Sequence, residues 1–235
     1  MDYFFQIFSK AINLILEADS DLFEIIFLSL KVSLTALFFS CLIGLPIAAL
    51  CVIKCFFGRN ILIILLNSLM GLPPVLVGLV LYLIFSKSGP LGFFEILYTP
   101  TIMMIAQFIL IVPIIISMSI QVLEQILNEY EEMLTSIGAN KKDIALTILW
   151  DARFPLVTCV LAGLGRALSE VGAIIIVGGN IAHHTRVMTT SIALETSKGN
   201  LELAVSLGLI LIFLSLSLNV TVSFLKKLSK EFSYD

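Results

Sequence analysis

Asn128-Glu-Tyr-Glu-Glu-Met-Leu-Thr-Ser-Ile-Gly-Ala-Asn-Lys-Lys-Asp-Ile-Ala-Leu-Thr-Ile-Leu-Trp-Asp-Ala-Arg153 is a polar, charge-bearing island between two long apolar runs. The helix formers from Glu129 to Leu134 give way at Gly138, where a left-handed residue caps a helix at no steric cost. A second short helix can then begin near Asn140. The stretch predicts two short helices set at an angle outside the bilayer, with apolar teeth at Met133, Leu134, Ile137, Ile144 and Ile148. A loop that only joins two membrane spans needs no such teeth. A loop that docks into a groove on a soluble partner does.

Outward from the island the chain is apolar. Of its 235 residues, 59% are hydrophobic and 13% charged, with a mean hydropathy of +1.07. A soluble domain carries about twice that charged fraction, so the composition defines an integral membrane protein made of helices. The net charge of -3 decides little, because the placement of Lys and Arg matters more than their sum. No nucleotide-cradling G-x4-G-K-[ST] pattern, no HExxH and no paired CxxC occurs. Cys41, Cys51, Cys55 and Cys159 all lie in or beside apolar runs, where Cys behaves as a small hydrophobe. No metal ligand set and no cofactor is expected.

Five apolar runs follow one another. Residues 1–24 are acidic and lack the basic start of a signal peptide; Tyr3 to Leu16 fits a helix lying on the membrane surface. Val32 to Ile53 is uncharged and long enough to cross at about 20 residues per span. Ile61 to Ser86 is the second run, and its Gly71, Pro73, Pro74 and Gly78 predict a kinked, tightly packed helix near a pathway, or a kink without a transport role. Ile96 to Leu123 delivers the chain into the island. After Arg153 a fourth run reaches about Ala182, interrupted by Arg166, Ser169 and Glu170, and Leu203 to Leu225 is the fifth.

Five spans put the two ends on opposite sides. With the carboxyl end inside, the inner segments hold Lys54, Arg59, Lys141, Lys142, Arg153, Lys226, Lys227 and Lys230, and the outer ones only Lys10, Lys87, Arg186 and Lys198. Basic residues favour the cytoplasm, so the amino terminus is expected outside and the island inside.

Arg166 and Glu170 are four apart and share a helix face. A charge at membrane depth is costly and usually faces a bundle interior or an aqueous cavity. The pair is either an ion pair that stabilises packing or part of a pathway in which the cation offsets the desolvation of an anion. Gly172, Gly178, Gly179 and Asn180 predict a helix that breaks before a full crossing, and broken ends can present backbone amides to an oxyanion. Ser169, Pro73 and Pro74 complete the candidate pathway set. Thr185, Arg186, Thr189 and Thr190 are outer-side candidates for docking a delivery protein or lining the entrance, or else belong to an ordinary solvated loop. His183 and His184 are adjacent, cannot meet on one helix face, and read as surface residues.

The island resembles the cytoplasmic coupling loop, the "EAA" loop, of permease subunits of ABC-type importers: a Glu six residues before a Gly, then an Ile ten beyond. Glu132, Gly138 and Ile148 fit; the Leu-Pro that closes the family pattern is replaced by Trp150-Asp-Ala-Arg153. Leu72-Pro-Pro-Val75 through Ser88-Gly-Pro-Leu-Gly92 and Gly165-Arg-Ala-Leu-Ser-Glu-Val-Gly-Ala173 resemble stretches of molybdate and tungstate permeases. Gly178-Gly-Asn180, Thr185 to Thr190 and Ala193-Leu-Glu-Thr-Ser-Lys-Gly199 are most similar to the tungstate branch. The resemblance, over roughly residues 25 to 225, implies an all-α membrane protein of type I importer (MetI-like) architecture. It would comprise an N-terminal segment 1–24, one transmembrane permease domain 25–225 with its coupling loop 128–153, and a cytoplasmic tail 226–235. It implies a homodimer in the lipid bilayer, a separate P-loop ATPase subunit on each loop, and an extracytoplasmic binding protein that delivers an oxyanion; no nucleic acid is implied. Glu132, Met133, Leu134, Ile137, Gly138, Ala139 and Ile148 would carry the coupling. Molybdate or sulfate permeases of the same family are the nearest alternative, and an ion-coupled carrier with Arg166 and Glu170 as a relay is the alternative from another class.

Overall fold

The structure is a computed structural model and describes residues 7, 9–13, 15, 20–54 and 56–232. Those residues form α1 (Ser20–Ile53), α2 (Arg59–Leu69), α3 (Pro74–Phe85), a 3-10 turn (Gly92–Phe94), α4 (Pro100–Ser136), α5 (Lys141–Asp151), α6 (Arg153–Leu168), α7 (Gly172–Gly178), α8 (Met188–Lys198) and α9 (Leu201–Phe232). No strand occurs among them. Three helices are long and apolar enough to cross a membrane, within α1, α4 and α9, and the count rises to five if α2 with α3 and α5 with α6 each make one bent span.

The central column is α4. Its 37 residues measure about 55 Å at 1.5 Å per residue, far more than a hydrocarbon core of about 30 Å, so the helix must project beyond the bilayer. Three buried clusters are strung along it. Near the start of α4, Ile102, Met103 and Ala106 pack with Val32, Val77, Ala173 and Val177. Midway, Ile111 and Ile115 meet Ala36, Leu37, Leu164 and Ala167. Further along, Ile116, Ile120 and Leu123 meet Ala48, Val52, Leu66, Ile148 and Cys159. A fourth cluster, Leu22, Met188 and Leu207, pins α8 and α9 to the start of α1. The outer faces of α1, α3 and α9 expose Phe38, Leu42, Leu83, Phe213 and Leu216, as helices solvated by lipid do.

The second apolar run does not form one kinked helix. It breaks completely, and α2 and α3 meet at 99°. Leu72 and Pro73 each precede a proline, which disfavours helical backbone at both positions. Pro73 is extended (ψ 119°) and Pro74 opens α3 at its first position, where a missing N–H costs nothing. The 12 residues of α3 span only about 18 Å. The fourth run is likewise divided, at Ser169–Val171, into α6 and the seven-residue α7. Gly78 lets α3 lie directly on α7: a Cβ there would sit 2.9 Å from the Ala173 Cα.

The expected surface helix over Tyr3 to Leu16 falls partly outside the described residues. Of the part described, Ala11 is buried and its carbonyl accepts a hydrogen bond from Ser206 Oγ at 3.2 Å. Lys10 Nζ bonds Glu202 Oε1 at 2.6 Å. This segment is therefore fastened to α9. The chain's last helix continues to Phe232, so residues 226–232 of the expected tail are helical; residues 233–235 lie outside the described residues.

Candidate coupling loop and buried polar seam

The island begins as the projecting end of α4, not as a separate short helix. Gly138 ends it with φ +70°, and Ala139 N–H donates to Leu134 O at 3.1 Å, the six-to-one bond of a left-handed helix terminator. Asn140 Oδ1 then accepts from Lys142 N and Asp143 N, both at 3.0 Å, which caps α5. Together Gly138 and Asn140 turn the chain from α4 into α5, as the sequence predicts.

The expected teeth divide in two. Met133 (53% exposed) and Ile137 (71%) stand free of the body. Leu134 and Ile148 do not: both are buried, and Ile148 is a full member of the cluster formed with Ala48, Val52, Leu66 and Leu123. Ile144 packs against the same cluster. Ile148 therefore holds α5 to the chain's own body, and its apolar side chain is not available to a partner. Glu132 is exposed and Ala139 half-buried. Sequence reading missed Leu146 (61% exposed) and Trp150 (69%), which lie four apart on the outer face of α5. Their spacing from Ile144 and Ile148 shows two apolar faces on one helix, and only the packing says which is inward.

The second feature lies where α6 breaks. Glu170 is buried; its Oε2 faces Arg166 Nη2 at 3.4 Å, with the Arg166 side chain 32% exposed. Its Oε1 accepts from Ala173 N at 3.1 Å, so the carboxylate also caps the start of α7. Thr189 Oγ1 donates to the Glu170 carbonyl at 2.8 Å. Gln107 Nε2, from the middle of α4, donates to Ala167 O at 3.0 Å and to Ser33 Oγ at 3.4 Å. Ser29 Oγ accepts from Met188 N, the first amide of α8, at 2.7 Å. Glu170, Gln107 and Ser29, all buried, each serve a backbone group at a helix end, as breaks within an apolar bundle require. The sequence contains Gln107, Ser29 and Ser33 in plain view, but their partners are 60 to 159 residues away.

The turn between α7 and α8 is a hydrogen-bonded knot. Thr185 Oγ1 donates to Gly178 O at 2.5 Å and accepts from Ile181 N at 3.0 Å. Thr190 Oγ1 donates to Asn180 Oδ1 at 2.9 Å, and Asn180 Nδ2 donates to Thr190 O at 3.3 Å. Both threonines are fully buried, so neither offers its side chain to a docking protein; they are spent on folding the turn. Arg186 and Thr189 are half-buried. Gly178 is buried beneath Met103, and Gly179 closes α7 beside the Tyr98 ring. Ser169 is exposed on the same side of α6 as Thr158 and Gly165.

His183 and His184 are exposed. His183 Nδ1 lies 2.7 Å from Glu24 Oε2, with Asp21 beside it. The Glu24 hydrogen bond raises the imidazole above its ordinary range, helped by the Glu24 and Asp21 charges and opposed by Arg186. Buried Glu195 is held below the usual carboxylate range, first by the hydrogen bond from Lys198 at 2.9 Å and then by Asn200. Cys51 and Cys159 are buried and Cys41 half-buried; Cys55 lies outside the described residues.

An apolar helical body with broken spans, a polar seam at their breaks and a capped loop projecting from one end is a multi-pass membrane subunit built for translocation. Residues 40–230 match the family described as "Binding-protein-dependent transport system inner membrane component", and the chain belongs to that family. It is an ABC-type permease subunit, not itself an enzyme, with ATP hydrolysis on a separate subunit. A "Probable anion ABC transporter permease protein" of Haloferax volcanii is 41% identical over 81% of this chain and 84% of that protein. A tungstate uptake system permease protein of Peptoclostridium acidaminophilum is 38% identical over 94% of this chain and 97% of its own length. The protein of the same description from Campylobacter jejuni is 33% identical over 97% and 95%.

Proposed function

We propose that this chain is the membrane subunit of an ATP-driven importer of a tetrahedral oxyanion, tungstate, received from an extracytoplasmic binding protein. The observation that carries the reading is its likeness, over nearly its whole length, to two tungstate permeases. In this reading the ATPase subunit grips the loop 128–153 from the cytoplasm, the amino terminus lies outside, and two copies enclose the pathway. Met133, Ile137 and Leu146 form the gripped face. Glu132, Gly138 and Ala139 set the loop's shape, buried Leu134 seats its α4 side, and Ile148 anchors α5 in the apolar cluster through which movement of the ATPase reaches α1, α4 and α6. Alternating access is then a rigid-body rearrangement of packed helices.

The pathway face is the side of α6 that exposes Gly165 and Ser169 and partly exposes Arg166. An arginine at this depth is strongly disfavoured against lipid, so this side turns towards the second copy and the water between them. Pro73 and Pro74 start α3 beside the start of α7, and the anion passes these broken ends with Arg166 as the positive charge on its route. Glu170 keeps that arginine in place. Gly178, Gly179 and Asn180 close α7 at the outer mouth, where Arg186 and Thr189 remain the candidates for meeting the binding protein.

The test is uptake into cells or vesicles holding the complete transporter. Tungstate uptake is expected to outlast a tenfold excess of sulfate and to fall with excess unlabelled tungstate. Sulfate permeases are also relatives, at 28% identity for the Salmonella typhimurium protein over 83% of this chain. Molybdate or sulfate displacing tungstate at equal concentration would move the substrate assignment. Uptake that persists without any ATPase subunit would overturn the importer reading itself.

A further inference from the structure

We propose that Arg153, with the two rings that hold it, binds the phosphate of an anionic phospholipid where α5 passes into α6. The Arg153 Cζ lies 4.7 Å from the centroid of the Trp150 ring and 4.5 Å from that of Phe154. Nη1 donates to the Trp150 carbonyl at 2.6 Å, which fixes the side chain across the corner between the two helices. A guanidinium held this way against aromatic faces keeps its other N–H groups in its own plane, a fork that matches the oxygens of a phosphate.

Among the described residues no carboxylate pairs with that fork. Arg153 makes no ion pair among the described residues, Asp151 included. The first turn of α6 contains no acidic residue, so the guanidinium adds to the positive end of that helix. The other arginine at this end of the bundle, Arg59, is already committed to Glu124 and to the Cys51 carbonyl. Position selects the kind of anion. Lys141, Lys142 and Asp143 precede the clamp, and the apolar run Phe154 to Leu164 follows it, so hydrocarbon begins at Phe154. Trp150, 69% exposed, is the residue type that settles at headgroup level. An anion met at that depth is a lipid phosphate. The inference rests on the proposed orientation only for its leaflet, the cytoplasmic one.

The purified full chain, in complex with its ATPase subunit in detergent, is titrated with phosphatidylglycerol or phosphatidylcholine and its bound lipids are counted by native mass spectrometry. The wild type is expected to retain phosphatidylglycerol about fivefold more tightly than Arg153→Ala, the effect of one basic residue at an anionic surface, with no such difference for phosphatidylcholine. Arg153→Lys keeps the charge but not the fork and is expected to fall between. Trp150→Leu is expected to weaken retention while leaving the charge, and it carries the test if Arg153→Ala does not fold. Millimolar inorganic phosphate is expected to leave the count unchanged, which separates a lipid headgroup from free phosphate. Equal phosphatidylglycerol retention by wild type and all three variants overturns the proposal. So does loss of the ATPase subunit at unchanged lipid count, which assigns the clamp to the protein partner. Failure of tungstate uptake alone leaves the lipid count untouched.

Discussion

Glu170→Ala is expected to lower stability by about 2 kcal/mol, the cost of leaving a half-buried arginine and a buried helix-start amide without their shared carboxylate. The loss combines two effects. Arg166 is stranded as an unpaired cation at membrane depth, and Ala173 N–H loses the carboxylate oxygen that caps α7. The measurement is thermal unfolding of the purified chain in detergent, run with Arg166→Met and with the double change Arg166→Met/Glu170→Ala. The double variant removes the stranded charge but not the lost cap, so it is expected to unfold between the wild type and Glu170→Ala, with clear non-additivity between the two sites. An unchanged unfolding temperature for Glu170→Ala would remove the joint from the account. Uptake per folded molecule separates the roles: a double variant that folds but transports more than tenfold slower marks Arg166 as a pathway charge, and one that transports normally leaves the pair structural.

Gly138→Val is expected to abolish coupling while leaving the membrane body intact. The φ of +70° is the sole obstacle, because nothing lies within 4 Å of the position a Cβ would take. A left-handed β-branched residue costs about 2 kcal/mol or more, and the chain escapes by rotating the turn that joins α4 to α5. That rotation misaligns Met133 and Ile137 with Leu146. Uptake and substrate-stimulated ATP hydrolysis are expected to fall at least about tenfold, since about 1.4 kcal/mol of lost docking already gives that factor. Gly138→Asn, which tolerates the left-handed region, is expected to retain most activity. Wild-type uptake in the valine variant would show that the turn's shape is not what the ATPase grips.

Much of this was legible in the residues because the relevant physics is local. Charge-free runs mark the spans, and a glycine followed by an Asn two positions on marks the end of α4 and the cap of α5. Sequence places Arg166 and Glu170 on one face because four residues make about one helical turn. It does not reveal that Glu170 also caps α7, since that depends on where the helix breaks. The severity of a break is equally hidden. Leu72-Pro73-Pro74 reads as a kink, yet two successive pre-proline restrictions allow no helical continuation, and the result is a corner of 99°. Inward and outward faces are set by packing that no local pattern encodes. Ile148 and Leu146 are both apolar and two apart on α5, and only α1 and α4 packing beneath decides that Ile148 is core. Thr185 and Thr190 look like surface hydroxyls in a polar stretch until the knot that consumes them is seen.

An ATPase in the cytoplasm can grip the loop only if the loop lies on the cytoplasmic side of the membrane. With Lys141→Cys expressed in intact cells, a membrane-impermeant maleimide is expected to react only after the membrane is permeabilised, while Lys198→Cys, at the other end of the bundle, is expected to react from outside at once. Labelling of Lys141→Cys in intact cells, with Lys198→Cys protected, would contradict the orientation and leave the ATPase with nothing to hold.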